Sequence, residues 1–139
     1  LADIKTADIR NIALVGHSAS GKTSVGEAFL FNANETTRLN KVDEKNSVLD
    51  YNTDEIQRSI TIGLKLATIK WNGKTINFVD TPGFLDFFGE VVSASKVVES
   101  FVFVLDATNG VDLGTENAWA LMKKEKIGGL LVISKMKRE

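Results

Sequence analysis

Apolar residues along this chain fall into short blocks separated by polar turns. Ile12-Ala13-Leu14-Val15 is a continuous apolar run, too short for a helix, and predicts a buried strand over 10–15. Val25, Ala28 and Phe29 then recur at helical spacing and predict a helix from Lys22 to about Phe31. From Asn32 to about Ser59 polar residues dominate without a period, which predicts a long loop able to order around a ligand. Ile60-Thr61-Ile62 and Leu64 to Trp71 alternate at period two, and Asn72-Gly73 follows. That dipeptide predicts a two-residue type I′ hairpin turn, with a return strand from Lys74 to Val79. A second helix is predicted from Asp86 to about Val98, and Phe101 to Leu105 reads as a buried strand. Ala118, Trp119, Leu121 and Met122 give an amphipathic helix over 114–126, basic at its C-terminal end. Leu130 to Ile133 form the last strand. One hairpin plus strands alternating with helices predicts an α/β fold, a mostly parallel sheet with one antiparallel edge hairpin and helices on both faces.

The 139 residues suffice for one domain with a real core and give no internal repeat. A net charge of −1 argues against coating nucleic acid by bulk electrostatics, and no sequence-specific nucleic-acid contact is expected. The clustered cations Lys123, Lys124, Lys126, Lys135, Lys137 and Arg138 read as a solvated helix end and tail. With no cysteine, disulfides, thiolate zinc sites and cysteine nucleophiles are excluded. No run approaches the ~18 apolar residues of a membrane span, and no basic-then-apolar leader opens the chain. A cytoplasmic protein without a membrane partner is the expectation. Because the chain opens on Leu1 rather than Met, it reads as a processed product or an excised piece of something longer.

The chemistry concentrates between the first strand and the first helix. Gly16-His17-Ser18-Ala19-Ser20-Gly21-Lys22-Thr23 fits the phosphate-loop pattern GxxxxGK[ST] at every fixed position. Such a loop turns backbone N–H groups toward phosphate oxygens, and the helix N-terminus behind it adds partial positive charge. Lys22 would reach the β/γ-phosphates and the Thr23 hydroxyl would ligate Mg²⁺. A second constellation, Phe78-Val79-Asp80-Thr81-Pro82-Gly83, is an apolar strand ending in an acid and then a turn. Behind a phosphate loop, an aspartate there holds the Mg²⁺ shell, and the adjacent glycine lets a backbone N–H approach the γ-phosphate.

Together these residues resemble the GTP-binding domain of translational GTPases, closest to elongation factor G and its elongation factor G-like relatives. The resemblance runs from about Arg10 to the end. It includes Gln57-Arg58-Ser59-Ile60-Thr61-Ile62, Asp80-Thr81-Pro82-Gly83 with Asp86-Phe87, and Gly110-Val111 with Thr115-Glu116. It implies a P-loop G domain over 1–139, the N-terminal part of a multidomain protein whose partners are a guanine nucleotide and the ribosome. GTP or GDP would lie on His17, Ser18, Ala19, Ser20, Gly21, Lys22, Thr23, Ser24, Asp80, Gly83, Ser134 and Lys135. Thr23, Thr61 and Asp80 would organise Mg²⁺, and Lys22 and Gly83 would act in catalysis. The polar stretch ending near Thr61 would be the first switch, and Asp80 to Gly83 the second.

The chain departs from the family pattern in places that matter. Phe84 stands where a histidine usually orients the attacking water, so hydrolysis should be slow. Ala19 replaces a frequent aspartate. Ser134-Lys135-Met136-Lys137 stands where Asn-Lys-x-Asp reads guanine, so Lys137 replaces the carboxylate that accepts from the base. The family's last base-contacting loop, strand and helix would follow Glu139. The leading expectation is a GTPase of the elongation factor G-like kind. The alternatives are a non-hydrolysing nucleotide-binding switch or interaction module with degenerate catalytic and base sites, and an inert scaffold.

Overall fold

The computed structural model describes residues 5–58 and 60–137. Five strands, β1 (Ile9–Val15), β2 (Lys65–Trp71), β3 (Lys74–Asp80), β4 (Ser100–Asp106) and β5 (Gly128–Ser134), form one sheet in the order β2-β3-β1-β4-β5. Only β2 and β3 pair antiparallel. Their turn has φ 47° at Asn72 and 73° at Gly73, the left-handed pair that a type I′ turn needs. The described residues form four α-helices, α1 (Lys22–Asn32), α2 (Thr53–Arg58), α3 (Phe88–Ala94) and α4 (Leu113–Glu125).

Ala13, Leu14 and Val15 are all fully buried because β1 is central and covered on both faces, which is why its sequence is a run and not an alternation. Leu14, Phe78, Val102 and Val104 pack with Leu30 of α1 on one face. Ala13, Val15, Phe101 and Phe103 pack with Val91 of α3 and Ala118 and Leu121 of α4 on the other. This sandwich presents the C-terminal ends of β1, β3, β4 and β5 along one edge, where the loops gather. Asp112 caps α4 by accepting from Thr115 N at 2.8 Å, and Lys126 ends it in a left-handed conformation. At the sheet edge, Leu130, Leu131 and Ile133 of β5 remain exposed.

Three expectations are corrected. The helix expected from Asp86 to Val98 is a 3-10 turn (Leu85–Phe87) followed by the short α3. Ser93 and Ser95 turn their hydroxyls back onto the carbonyls of Gly89 and Val92, and the chain leaves through i−3 bonds from Lys96 and Val97. Ile60 to Ile62 lie outside β2, because Ile62 N and Gly63 N donate to the Glu55 carboxylate rather than to a neighbouring strand. The polar stretch after α1 is not structureless. It holds a 3-10 turn (Val42–Glu44), α2, and the buried residues Asn40, Leu49, Asp50 and Glu55.

Candidate functional site

The loop leaving β1 is shaped by glycines that no other residue replaces. Gly16 has φ 143°, and a Cβ there would stand 2.4 Å from the Val104 carbonyl oxygen. Gly21 has φ 100° and starts α1, whose first N–H groups have no intrahelical acceptor. Ser18 N donates to Gly83 O at 3.1 Å, so the turn after β3 sits directly on the loop. A Cβ on Gly83 would stand 2.4 Å from Ser18 N and 2.5 Å from Lys22 Nζ. Lys22 is 5% exposed and folds over its own loop, donating to Gly16 O (3.0 Å) and His17 O (2.7 Å). Burial lowers its pKa from 10.5 to about 8, against the opposing pull of Asp80, Asp112 and Asp50.

Below the loop, Thr23 Oγ1 donates to Asp80 Oδ2 at 2.7 Å and lies 3.3 Å from Thr61 Oγ1. Thr61 Oγ1 in turn donates to Asp50 Oδ1 at 3.0 Å. Asp80 is fully buried and its Oδ1 has no hydrogen-bond partner. Burial raises its carboxyl pKa from 3.8 to about 7; Asp50 and Glu27 add to that rise, whereas the Thr23 hydrogen bond and Lys22 oppose it. An orphaned carboxylate oxygen beside two hydroxyls suits a hard cation. Among the described residues no three His, Cys, Asp or Glu side chains cluster as a metal cage. The oxygens present are of the kind that suits Mg²⁺, which takes one or two carboxylates and completes its shell with water and phosphate.

These residues open onto a groove of about 490 Å³, lined along its length by Ser18, Thr23, Thr61, Phe84 and Lys135. Ala19, Gly21, Ser24 and Gly83 line it too, whereas Ser20 and His17 do not. Ser20 is buried, and the His17 ring turns to Asp112, Nδ1 lying 3.5 Å from Oδ2. Ser134 Oγ lies within hydrogen-bond reach of Ser20 O (2.5 Å) and Leu105 O (3.0 Å), tying β5 to the phosphate loop. Lys135 takes a left-handed conformation and its Nζ pairs with Asp106 Oδ2 at 2.7 Å. That bond, with two more from Thr108, holds the Asp106 carboxyl well below the ordinary carboxylate range. Lys137 is exposed. Asp50 belongs to the site although its polar surroundings in the sequence hide it.

Comparison with known proteins follows the same lines. The family described as Elongation factor Tu GTP binding domain matches residues 7–139. Ribosome-releasing factor 2, mitochondrial, of Drosophila willistoni is 42% identical over 96% of this chain and 18% of its own length. The protein of the same name from Lodderomyces elongisporus is 38% identical over 98% of this chain and 16% of its own. A crystal structure from Thermus thermophilus superposes with a TM-score of 0.87 at 31% identity, over 91% of this chain and 19% of that one. The bacterial selenocysteine-specific elongation factor EF-Sec (TM-score 0.73, 21% identity, 92% of this chain and 20% of that one) shares the fold. The chain thus spans less than a fifth of the curated relatives it matches. No described helix is long and apolar enough to cross a membrane. On sequence, sheet topology and loop geometry alike, the chain belongs to the elongation factor Tu GTP-binding domain family, as the G domain of an elongation factor G-like translational GTPase.

Proposed function

We propose that this domain binds GTP and GDP with Mg²⁺, hydrolyses GTP slowly by itself, and serves as the nucleotide-operated switch of a larger ribosome-associated factor. The observation that carries the reading is the meeting of Thr23, Thr61 and Asp80 beneath the phosphate loop, with one buried Asp80 oxygen left unpartnered. Bound Mg²⁺ would neutralise charge on the β- and γ-phosphate oxygens. Thr23, Thr61 and Asp80 would hold it. Lys22 would exchange its two carbonyl acceptors for phosphate oxygens, and the phosphate would raise its pKa and keep it charged. Loop residues Ser18, Ala19, Gly21 and Ser24 would face the phosphates; His17 and Ser20 would act through the backbone alone. The Gly83 N–H would meet the γ-phosphate, since only glycine fits against Ser18 and Lys22.

Phe84 lines the groove with a ring that neither accepts nor donates a proton. Intrinsic attack by water therefore lacks an orienting group, which also favours a second reading, a switch that binds nucleotide without hydrolysing it. Ser134 and Lys135 would border the base, with little discrimination for guanine while Lys137 replaces a carboxylate. The relatives' name supports the ribosome as partner, reached through parts of the longer protein. A cytoplasmic location stays a proposal beside the mitochondrial one that the relatives' name suggests, and cell fractionation decides between them. Equilibrium titration with GTP and GDP, beside single-turnover hydrolysis with and without ribosomes, tests the whole reading. Lys22→Ala should lose triphosphate affinity by roughly 100-fold or more, a charge-assisted pair on each of two phosphates being removed. An unaltered titration curve for that variant would remove the phosphate-loop assignment.

A further inference from the structure

Backbone carbonyls between Gly16 and Gly21 are held by hydrogen bonds, most of them from the loop and α1 themselves. Lys22 Nζ donates to Gly16 O and His17 O, Ser20 N donates to His17 O at 3.2 Å, and Val25 N donates to Gly21 O at 2.9 Å. Ser20 O is the exception, because its donor comes from the end of β5. Ser134 Oγ stands 2.5 Å from Ser20 O and 3.0 Å from Leu105 O. A hydroxyl has one proton for these two acceptors, and the shorter contact, at the tight end of the O–H···O range, takes it.

That carbonyl belongs to the peptide unit that ends in the Gly21 N–H. A trans peptide is planar, and its C=O and N–H point in opposite directions. Holding Ser20 O toward Ser134 therefore aims the Gly21 N–H the other way, and Gly21 lines the groove. Gly21 stands at φ 100° and ψ 17°. Glycine takes φ of either sign, so its own side chain does nothing to stop this peptide unit from turning over. Turned over, the unit would present a carbonyl oxygen where the loop needs an N–H, and that oxygen would repel a phosphate. The Ser134 side chain also packs on Gly21, its Cβ and Oγ both 3.6 Å from where a Gly21 Cβ would stand. An ionised phosphate only accepts hydrogen bonds, so it does not compete with Ser134 for Ser20 O, and the contact is compatible with a bound nucleotide.

We propose that Ser134 is a positioning residue for the phosphates, its hydroxyl fixing the Ser20–Gly21 peptide unit and through it the Gly21 N–H; this rests on the reading of Gly16 to Thr23 as a phosphate loop. With its single proton given to the loop, the Ser134 hydroxyl has none left for an acceptor on the base. Its contribution to affinity is therefore blind to the base and acts through the phosphates.

Two variants of the full chain test this. Ser134→Ala removes the hydroxyl, and Ser134→Thr keeps it. The dissociation constants of GTP and ATP, each with Mg²⁺, should both rise roughly 10-fold in Ser134→Ala, by the same factor, as one amide-to-phosphate bond is weakened, and both should return in Ser134→Thr. The carbonyl ¹³C resonance of Ser20, which responds directly to the hydrogen bond that the carbonyl accepts, should shift in ligand-free Ser134→Ala and keep its wild-type position in Ser134→Thr. Wild-type affinity for both nucleotides in Ser134→Ala overturns the inference. So does a loss confined to one of them, which would make Ser134 a reader of the base, or a loss that Ser134→Thr does not restore. If the wild-type protein binds neither triphosphate, the proposed function fails, and the Ser20 resonance alone upholds or overturns the hold of Ser134 on the peptide unit.

Discussion

Asp80→Asn should strengthen the ligand-free fold at neutral to alkaline pH while damaging the site. The carboxyl is fully buried with one oxygen unpartnered, and its pKa rises from 3.8 to about 7. The sign follows from proton binding: between pH 3.8 and about 7 the folded state holds more protons at this residue than the unfolded chain, so its contribution falls as pH rises through that window. The full cost, present above about pH 7, is about 4 kcal/mol as an upper figure. Asparagine removes the charge but brings an amide with no acceptor, which costs about 1–3 kcal/mol at any pH. It also takes from Lys22 the charge that most favours its ionised form. The net gain at about pH 8 should therefore be about 1–3 kcal/mol, turning into a loss near about pH 4, where the wild-type carboxyl is neutral. Urea unfolding of both proteins at about pH 4, 6 and 8 in EDTA measures this. Titrating groups remote from the site are shared, so the difference between the two curves reports Asp80 together with the shift its loss causes in Lys22. The same variant should bind Mg²⁺–triphosphate by roughly 10-fold or more weakly, one carboxylate ligand being lost. A stability difference that does not change with pH would refute the argument, because it would mean that Asp80 is ionised at no cost in the fold.

Other outcomes follow from the same geometry. Phe84→His should raise single-turnover GTP hydrolysis by ~10²-fold or more if the rest of the site is assembled; equal rates would mean that another group orients the water. Ser134→Asn with Lys137→Asp should shift the ratio of ATP to GTP dissociation constants toward GTP, and a strong GTP preference in the unaltered chain would show that the base lies elsewhere. Gly26→Ala should cost about 1–3 kcal/mol in urea unfolding, because its Cβ displaces Leu49 and Phe78. Hydrogen exchange should then show loosening over 47–50, and undiminished protection there would remove the Leu49 anchor from the account.

Much of the site is legible in the sequence because its determinants are local. The glycines at 16 and 21 and the Lys22-Thr23 pair act through torsions and spacing along one short loop, and Asn72-Gly73 specifies its turn by itself. The order of the first switch is not legible there, and the pattern predicts a loop in its place. That order comes from carboxylate-to-amide bonds between Glu27 and residues 40–49 and between Glu55 and residues 62–63, and such bonds have no hydrophobic period. One clue is present. Alternation in β2 puts Lys65 on the inward face with Ala67 and Ile69, leaving Leu66 72% exposed, so a lysine had to find a buried counterion. Residue spacing alone therefore determined that a phosphate loop joins a strand to a helix, and that an aspartate and a glycine close the neighbouring strand. Only the tertiary structure decided that Asp50 joins the group by accepting from the Thr61 hydroxyl, and which carboxylates lose their water. Desolvation depends on everything packed around a group, and no stretch of sequence contains its own surroundings.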